Sequence, residues 1–437
     1  MLCHRLYALS RWSAFFAAIF MSVRLIRQEE YLRLLGGMIL IIEFIFISFL
    51  YEKKRIIFTC GYLYLFIIGF VNFSLAPLYY DTSQLAEDSL RYIGIPNDHF
   101  SLYFTVCFVF WLCIGIFVAV SKKSSNTFAN INNICLVPFT KICLSKNIEN
   151  TVLLIGFLFS LPLSLTKEVF AILYVPIICY FFAVFLAKGK ADIQICLSAA
   201  GFGLILARFG TVRYIMVQFL LPLLIIFIMI KGQKRISRKK FIFLFISLTV
   251  LILLYGVCSE IIKLNIFYHG NYSIKEIFSD ANRFFDFIYR QLYRLFGIWV
   301  HLGGNIIEHV QRNGFFYGLT YVKSISGFLG LPYISLPLIS ADYIQASYAQ
   351  PGLLAEGYAN FGIIGAILNM IVPFFISEFI FKRTVKKMSP EWLCLSIIPF
   401  TKVLLDGGSI NSIIFGILSC MIAFFPFITQ KKVVIKI

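Results

Sequence analysis

Apolar residues gather along this chain in runs near the length a helix needs to cross the hydrocarbon of a bilayer, about 20 mainly apolar residues. Such runs lie near 31–50, 56–78, 100–120, 151–166, 168–187, 191–207, 211–230, 241–258, roughly 356–381, 391–406 and 411–428. A weaker run near 7–25 contains Arg11 and Arg24 and lacks a clean small-residue cleavage site. It reads as an uncleaved first span, with Met21 as the true start the rival reading. The pattern predicts one all-α domain over residues 1–437, a polytopic helical bundle of about 12 transmembrane helices.

Composition fixes the class. The 437 residues are 60% hydrophobic and 14% charged, against the roughly 25% charged expected of a soluble domain. Mean hydropathy is +0.86. A water-soluble domain of this size cannot give that much apolar surface polar cover, whereas lipid accepts an apolar exterior. Soluble enzymes, disordered chains and secreted disulfide scaffolds are excluded. Most of the 11 cysteines, among them Cys60, Cys107, Cys179 and Cys394, sit inside apolar runs without CxxC or Cys/His ligand spacing and read as small packing residues. The five histidines are scattered, and no HExxH, phosphate loop, GxSxG elbow or DxD-type carboxylate pair occurs. No metal and no cofactor is expected.

Charge orients the spans. The 39 Lys and Arg against 21 Asp and Glu leave a net charge of +18, which would suggest nucleic acid in a soluble protein. Here the positives lie between apolar runs and no basic domain stands apart, so no nucleic-acid partner is expected. Lys53, Lys54 and Arg55, then Lys122, Lys123, Lys141 and Lys146, then Lys188 and Lys190, then the run 231–240 alternate to one side. Lys382, Arg383, Lys386, Lys387 and the tail Lys431, Lys432 and Lys436 join them. These faces and both termini are expected in the cytoplasm, with 79–99 outside, carrying Asp81, Glu87, Asp88 and Asp98 against Arg91.

The same alternation puts one segment outside that is far longer than any other connection, 259–351. It holds seven Lys or Arg on the face where positive charge is depleted. Within it 282–301 reads NRFFDFIYRQLYRLFGIWVH. At helical spacing Arg283, Arg290, Arg294 and His301 fall within about 20° of one line. Phe284, Phe285, Ile288, Leu292, Leu295, Phe296 and Trp299 take the opposite face, so an amphipathic helix is expected near 282–301. The stripe is either an anion site, with Arg forks matched to phosphate oxygens, or an interfacial helix touching lipid headgroups.

Three other features carry chemistry. The turn ARFGTVRY places Arg208 and Arg213 at the outer boundary, where they meet either a bound anion or phosphate headgroups. The stretch GLLAEGYANFGIIGAI, 352–367, puts Glu356 near the outer interface, as a general base toward a hydroxyl or as the partner of a loop Arg. Gly357, Gly362 and Gly365 there suit close helix packing. Lys402 and Asp406, four apart, read as an ion pair that lets both enter the membrane, and Glu43 has no evident partner. The loop's tyrosines, including Tyr272, Tyr289, Tyr317, Tyr321 and Tyr333, suit either stacking on sugar rings or an interfacial belt.

With an outside-facing ARFGTVR turn, one large late outer loop and GLLAEGYANFGIIG leading into the following span, the chain resembles the O-antigen polymerases, the Wzy-type oligosaccharide repeat-unit polymerases. The resemblance covers the layout of the chain and, at the level of sequence, those two short stretches. It implies a GT-C-like bundle in the bacterial inner membrane with its active site facing the periplasm. It implies a metal-independent glycosyltransferase that moves a glycan from undecaprenyl diphosphate onto the terminal sugar of another lipid-linked repeat. On that reading Arg208, Arg213, Arg283, Arg290 and Arg294 hold the diphosphate, and Glu356 or His301 is the base. Lipid-linked oligosaccharides, membrane lipids, a chain-length regulator and a flippase are the candidate partners. An O-antigen ligase or a flippase for lipid-linked sugars is the alternative. The Arg-to-Gly spaced motifs described for two periplasmic loops of the family have no clear counterpart here.

Overall fold

A computed structural model of the chain describes residues 2–27, 31–54, 60–74, 97–121, 161, 165, 174–188, 193–209, 219–227, 298–323, 326, 330–343, 351–387, 390–406 and 409–429. Its regular structure is helical, with no strand among the described residues. In chain order the helices are α1 (Leu2–Arg27), α2 (Tyr31–Lys54), α3 (Cys60–Tyr64), which continues as a π-helix over Leu65–Ser74, and α4 (Asn97–Val120). Then follow α5 (Val175–Lys188), α6 (Ile193–Phe209), α7 (Ile298–Asn313), α8 (Leu336–Tyr343), α9 (Gly352–Lys387), α10 (Pro390–Asp406) and α11 (Ile410–Thr429).

Among the described residues three helical stretches are long and apolar enough to cross a membrane: Tyr31–Lys53, His99–Val120 and Gly352–Thr384. Their outward faces are apolar. Leu35, Ile42, Phe46 and Phe49 on α2, Leu112, Ile116 and Val120 on α4, and Ile364, Leu368, Val372, Phe375 and Phe379 on α9 are all exposed, at three-, four- or seven-residue steps. Each helix therefore turns an apolar stripe outward as well as one inward, which hydrocarbon accommodates and water does not. The chain is a helical membrane protein.

The inward faces build an apolar core in which Phe44, Phe70, Trp111, Ile114, Met370 and Phe374 are buried. Phe44 stacks on Phe70 with ring centroids 4.4 Å apart. Gly36 admits Phe100 and Phe104, and Gly115 faces Ile47, so α2 and α4 run in the same direction. The long arm of α9 follows them, with Phe117 against Phe374 and Phe375. Helix α1 runs opposite to α2, with Arg11 bonded to Glu52 at 2.6 Å and Ser22 to Met38. These directions gather Arg11, Tyr51, Tyr62, Lys382 and Trp392 at one end of the bundle. Arg33, His99, Tyr103, Glu356 and Ile410 gather at the other.

The run expected as one span near 356–381 is corrected. Helix α9 breaks at Phe361 (φ −142°, ψ 23°) and Gly362 (φ 64°, ψ −148°). Asn369 Nδ2 donates to the Leu353 carbonyl at 3.1 Å, and a Cβ on either Gly357 or Gly365 would strike the other's carbonyl oxygen. Both contacts are symmetric about Phe361, so 352–360 folds back antiparallel on 363–387 as a helical hairpin. Gly362 takes the left-handed φ that a side chain resists, and the glycines at the crossing remove the Cβ atoms that would hold the arms apart.

In the long connection, residues 282–297 of the expected amphipathic helix lie outside the described residues. From Ile298 the chain is helical through Asn313, beyond the end expected at 301. The expected span at 241–258 lies outside the described residues, as does that at 151–166 apart from Leu161 and Leu165.

Candidate functional site

The hairpin carries a buried polar cluster at the end of the bundle where α7 packs. Glu356, on the short arm, is 3% exposed. Its Oε2 accepts the Ile410 amide at 2.7 Å, the first residue of α11, where N–H groups lack helical partners and the macrodipole favours an anion. Ser409 completes that cap: its Oγ accepts the Ser412 amide at 3.1 Å. The Thr320 hydroxyl donates to Glu356 Oε1 at 3.5 Å. It also accepts from Asn360 Nδ2 at 2.6 Å.

Asn360, one helical turn on, is the hub. Its amide also donates to the Glu356 carbonyl at 2.8 Å, and its Oδ1 accepts the Gly318 amide at 2.8 Å. The Phe316 amide donates to the Ala359 carbonyl at 2.9 Å. Tyr321 donates its phenol to Asn369 Oδ1 at 2.7 Å. Burial, and then the nearby Glu356, push that phenol well above the ordinary tyrosine range, so it stays a neutral donor. Residues 316–321 are thus bolted across both arms of the hairpin.

The bolted segment is a strained turn. The Leu319 amide donates to the Phe316 carbonyl at 3.1 Å, with φ of 49° at Tyr317 and 90° at Gly318. Two positive values define a type I′ turn, which favours Gly, Asn or Asp. Tyrosine there costs about 1–3 kcal/mol. The turn sets Tyr317, 75% exposed, beside exposed Phe315 and Phe361. Phe315 and Tyr317 meet at a centroid distance of 6.4 Å, and Phe361 meets Tyr321 at 6.2 Å.

Helix α7 closes one side. Gly303 lets the Tyr103 hydroxyl, the Pro351 carbonyl and Ala355 crowd its backbone. Buried His99, at the start of α4, faces Glu308 at 3.9 Å, and Glu308 also pairs with Arg312 at 3.5 Å. The buried Arg33 guanidinium lies 5.5 Å from the Phe100 ring centroid.

Of the residues expected from sequence, Glu356 lies at the centre of this cluster. His301 sits in the first turns of α7, its side chain outside what the structure describes. Arg208 is exposed in the last turn of α6. Arg213, Arg283, Arg290 and Arg294 lie outside the described residues. Among the described residues Glu356 forms no ion pair, and the described loop Arg312 pairs with Glu308 instead. Among those residues, too, no three His, Cys, Asp or Glu side chains gather as metal ligands. Sequence reasoning did not single out Thr320, Asn360 or Asn369. The one local signal was the glycine pair flanking FFY in NGFFYGLT, 313–320, a turn motif read only as part of a loop.

The arrangement presents a buried carboxylate with both oxygens engaged, an amide–hydroxyl relay leading from it, and an aromatic surface above. No curated protein and no solved structure matches the chain. A family model does match residues 17–437, and the chain belongs to that family, described as a family of unknown function (DUF6032).

Proposed function

We propose that this chain polymerises lipid-linked oligosaccharide repeat units at the periplasmic face of a bacterial inner membrane, within a GT-C-like bundle of about 12 spans. One observation carries the reading: the long connection is bolted, through Asn360 and Thr320, onto the hairpin that buries Glu356 at a single end of an apolar bundle. A lipid-linked donor and acceptor, held by their tails in the bilayer, would present their sugars and diphosphate at that level.

In the transfer, the acceptor sugar's hydroxyl oxygen bonds to the donor's anomeric carbon as the bond from that carbon to the phosphate oxygen breaks. The hydroxyl proton goes to a base, Glu356 or His301, and undecaprenyl diphosphate leaves with the electron pair. Arg208, Arg213, Arg283, Arg290 and Arg294 are the groups assigned to the departing diphosphate, where preplaced guanidiniums stabilise developing charge. A chain-length regulator and a flippase are the partners this activity calls for.

Deleting the gene in its source strain and resolving surface lipopolysaccharide on a gel tests the proposal. Core bearing a single repeat is expected. Bare core with accumulated lipid-linked polymer would identify a ligase. The broken α9 favours one further reading, a carrier for lipid-linked sugars, since interrupted helices mark transporter binding sites. Bare core with single repeats held at the cytoplasmic face would establish that instead. The break lies near one end of the bundle rather than at its middle, which weighs against a carrier.

A further inference from the structure

The exposed rings at the hairpin turn have no part in the transfer chemistry above. Tyr317 occupies a left-handed backbone position in a turn type that glycine or asparagine fills without strain. Its ring is 75% exposed, so burial within the protein does not offset that strain. Backbone strain held at an exposed side chain is a mark of function. The ring is also presented rigidly: Asn360 holds the Gly318 amide, and the Ala359 carbonyl holds that of Phe316. Phe361 comes to the turn from the hairpin side, its Cζ within 3.6 Å of where a Gly318 Cβ would stand, and Phe315 covers Gly362.

We propose that Tyr317, Phe315 and Phe361 form a stacking platform for a pyranose ring of the acceptor glycan, an inference that rests on the polymerase reading. A sugar ring has C–H faces that pack on an aromatic face, and hydroxyls round its edge that seek polar partners. This site supplies the aromatic face, and the buried Thr320 hydroxyl and Asn360 amide, engaged with each other and with Glu356, hold the turn that presents it. Tyrosine adds a rigid amphipathic face at low entropic cost. Lipid contact does not account for the turn. The outward stripe of α9 meets that need with Ile364, Leu368 and Val372 on regular helix, where no strained backbone is required.

The test uses the full chain in nanodiscs of phosphatidylethanolamine and phosphatidylglycerol. The probe is the oligosaccharide repeat released by mild acid from the source strain's lipid-linked precursor, with binding read by saturation-transfer NMR. Tyr317→Gly relieves the turn, so its thermal midpoint is expected at or above wild type. Its affinity for the repeat is expected to fall about tenfold or more, the loss typical of removing one stacked ring. Tyr317→Trp is expected to bind like wild type. Wild-type affinity in Tyr317→Gly overturns the platform, and so does broadening of the Tyr317 ring signals by spin-labelled lipid, which would make it an interfacial anchor. The two readings fail separately. Single-repeat lipopolysaccharide on gene deletion together with normal binding by Tyr317→Gly sinks the platform alone. Long chains surviving deletion, with no binding by wild type, sink both.

Discussion

Glu356 is a helix cap and, on the proposed reading, a base, and a pair of substitutions can separate the two. As a cap it takes the Ile410 amide at the half-buried start of α11, and losing the acceptor leaves that donor unsatisfied. Glu356→Ala is therefore expected to cost about 1–3 kcal/mol, seen as a lower thermal midpoint in detergent or nanodiscs. Glu356→Gln keeps a carbonyl oxygen for the Ile410 amide and removes the ionisable group. If Glu356 accepts the proton in transfer, the Gln variant inserts at normal levels, melts near wild type and makes no long chains. Full chain length in the Gln variant would leave Glu356 as a cap and shift the base to His301. Because both carboxylate oxygens are engaged, a catalytic Glu356 also needs the Thr320 contact, at 3.5 Å the longer of the two, to give way to substrate.

At the scale of elements the hairpin of α9 decides where Glu356 sits, and glycine decides whether the hairpin closes. A methyl group on Gly357 meets the Gly365 carbonyl and the Ala366 backbone, none of which is the end of a flexible side chain. Gly357→Ala is expected to destabilise the fold by about 1–3 kcal/mol, the usual range for overpacking, and to lower polymer output through the displaced Glu356. Gly203, within α6, has nothing within 4 Å, so Gly203→Ala is expected to be neutral or to stabilise by roughly 0.5–1 kcal/mol. Equal melting of the two variants would mean that the arms do not cross at Gly357. The helices themselves were legible: α2, α4, α10 and α11 follow apolar runs whose ends carry charge or turn residues. The hairpin was not, because GLLAEGYANFGIIGAILNM keeps helical apolar spacing straight through Phe361 and Gly362, and a reversal changes no residue's hydrophobicity. The glycines hinted at close packing without saying which backbone they would meet. The cluster around Glu356 was half legible. A carboxylate in an apolar run draws notice, whereas Thr320 and Asn360 gain meaning only once the chain brings 318 against 360.

At the scale of the molecule, two polar ends bracket a mainly apolar middle that also holds Glu43 of α2. One holds Arg11, Glu52, Tyr62 with Ser10 and Ser48, and Tyr51 bonded to Glu378 at 2.5 Å; the exposed Lys53, Lys382 and Arg383 lie on the same helix ends. The other holds Glu356, Thr320 and Asn360. Helix directions fixed by ring and glycine contacts thus put Lys53, Lys382 and Arg383, which charge alternation assigns to one side, at one end of the bundle. On the proposed orientation Tyr317 faces the periplasm and Lys382 the cytoplasm, separated by the 363–384 arm of α9, which at 1.5 Å per residue is about 30 Å long, enough to cross the hydrocarbon once. In a chain stripped of its native cysteines, Tyr317→Cys is expected to react with a membrane-impermeant maleimide in intact spheroplasts. Lys382→Cys is expected to react only in inverted vesicles. Reactivity exchanged between the two preparations would reverse the orientation and move the Glu356 site away from the face where lipid-linked repeats are joined. Reaction of both cysteines from one side would mean that the long arm does not span, and the outward stripe of Ile364, Leu368, Val372, Phe375 and Phe379 would then need a protein partner rather than lipid to cover it.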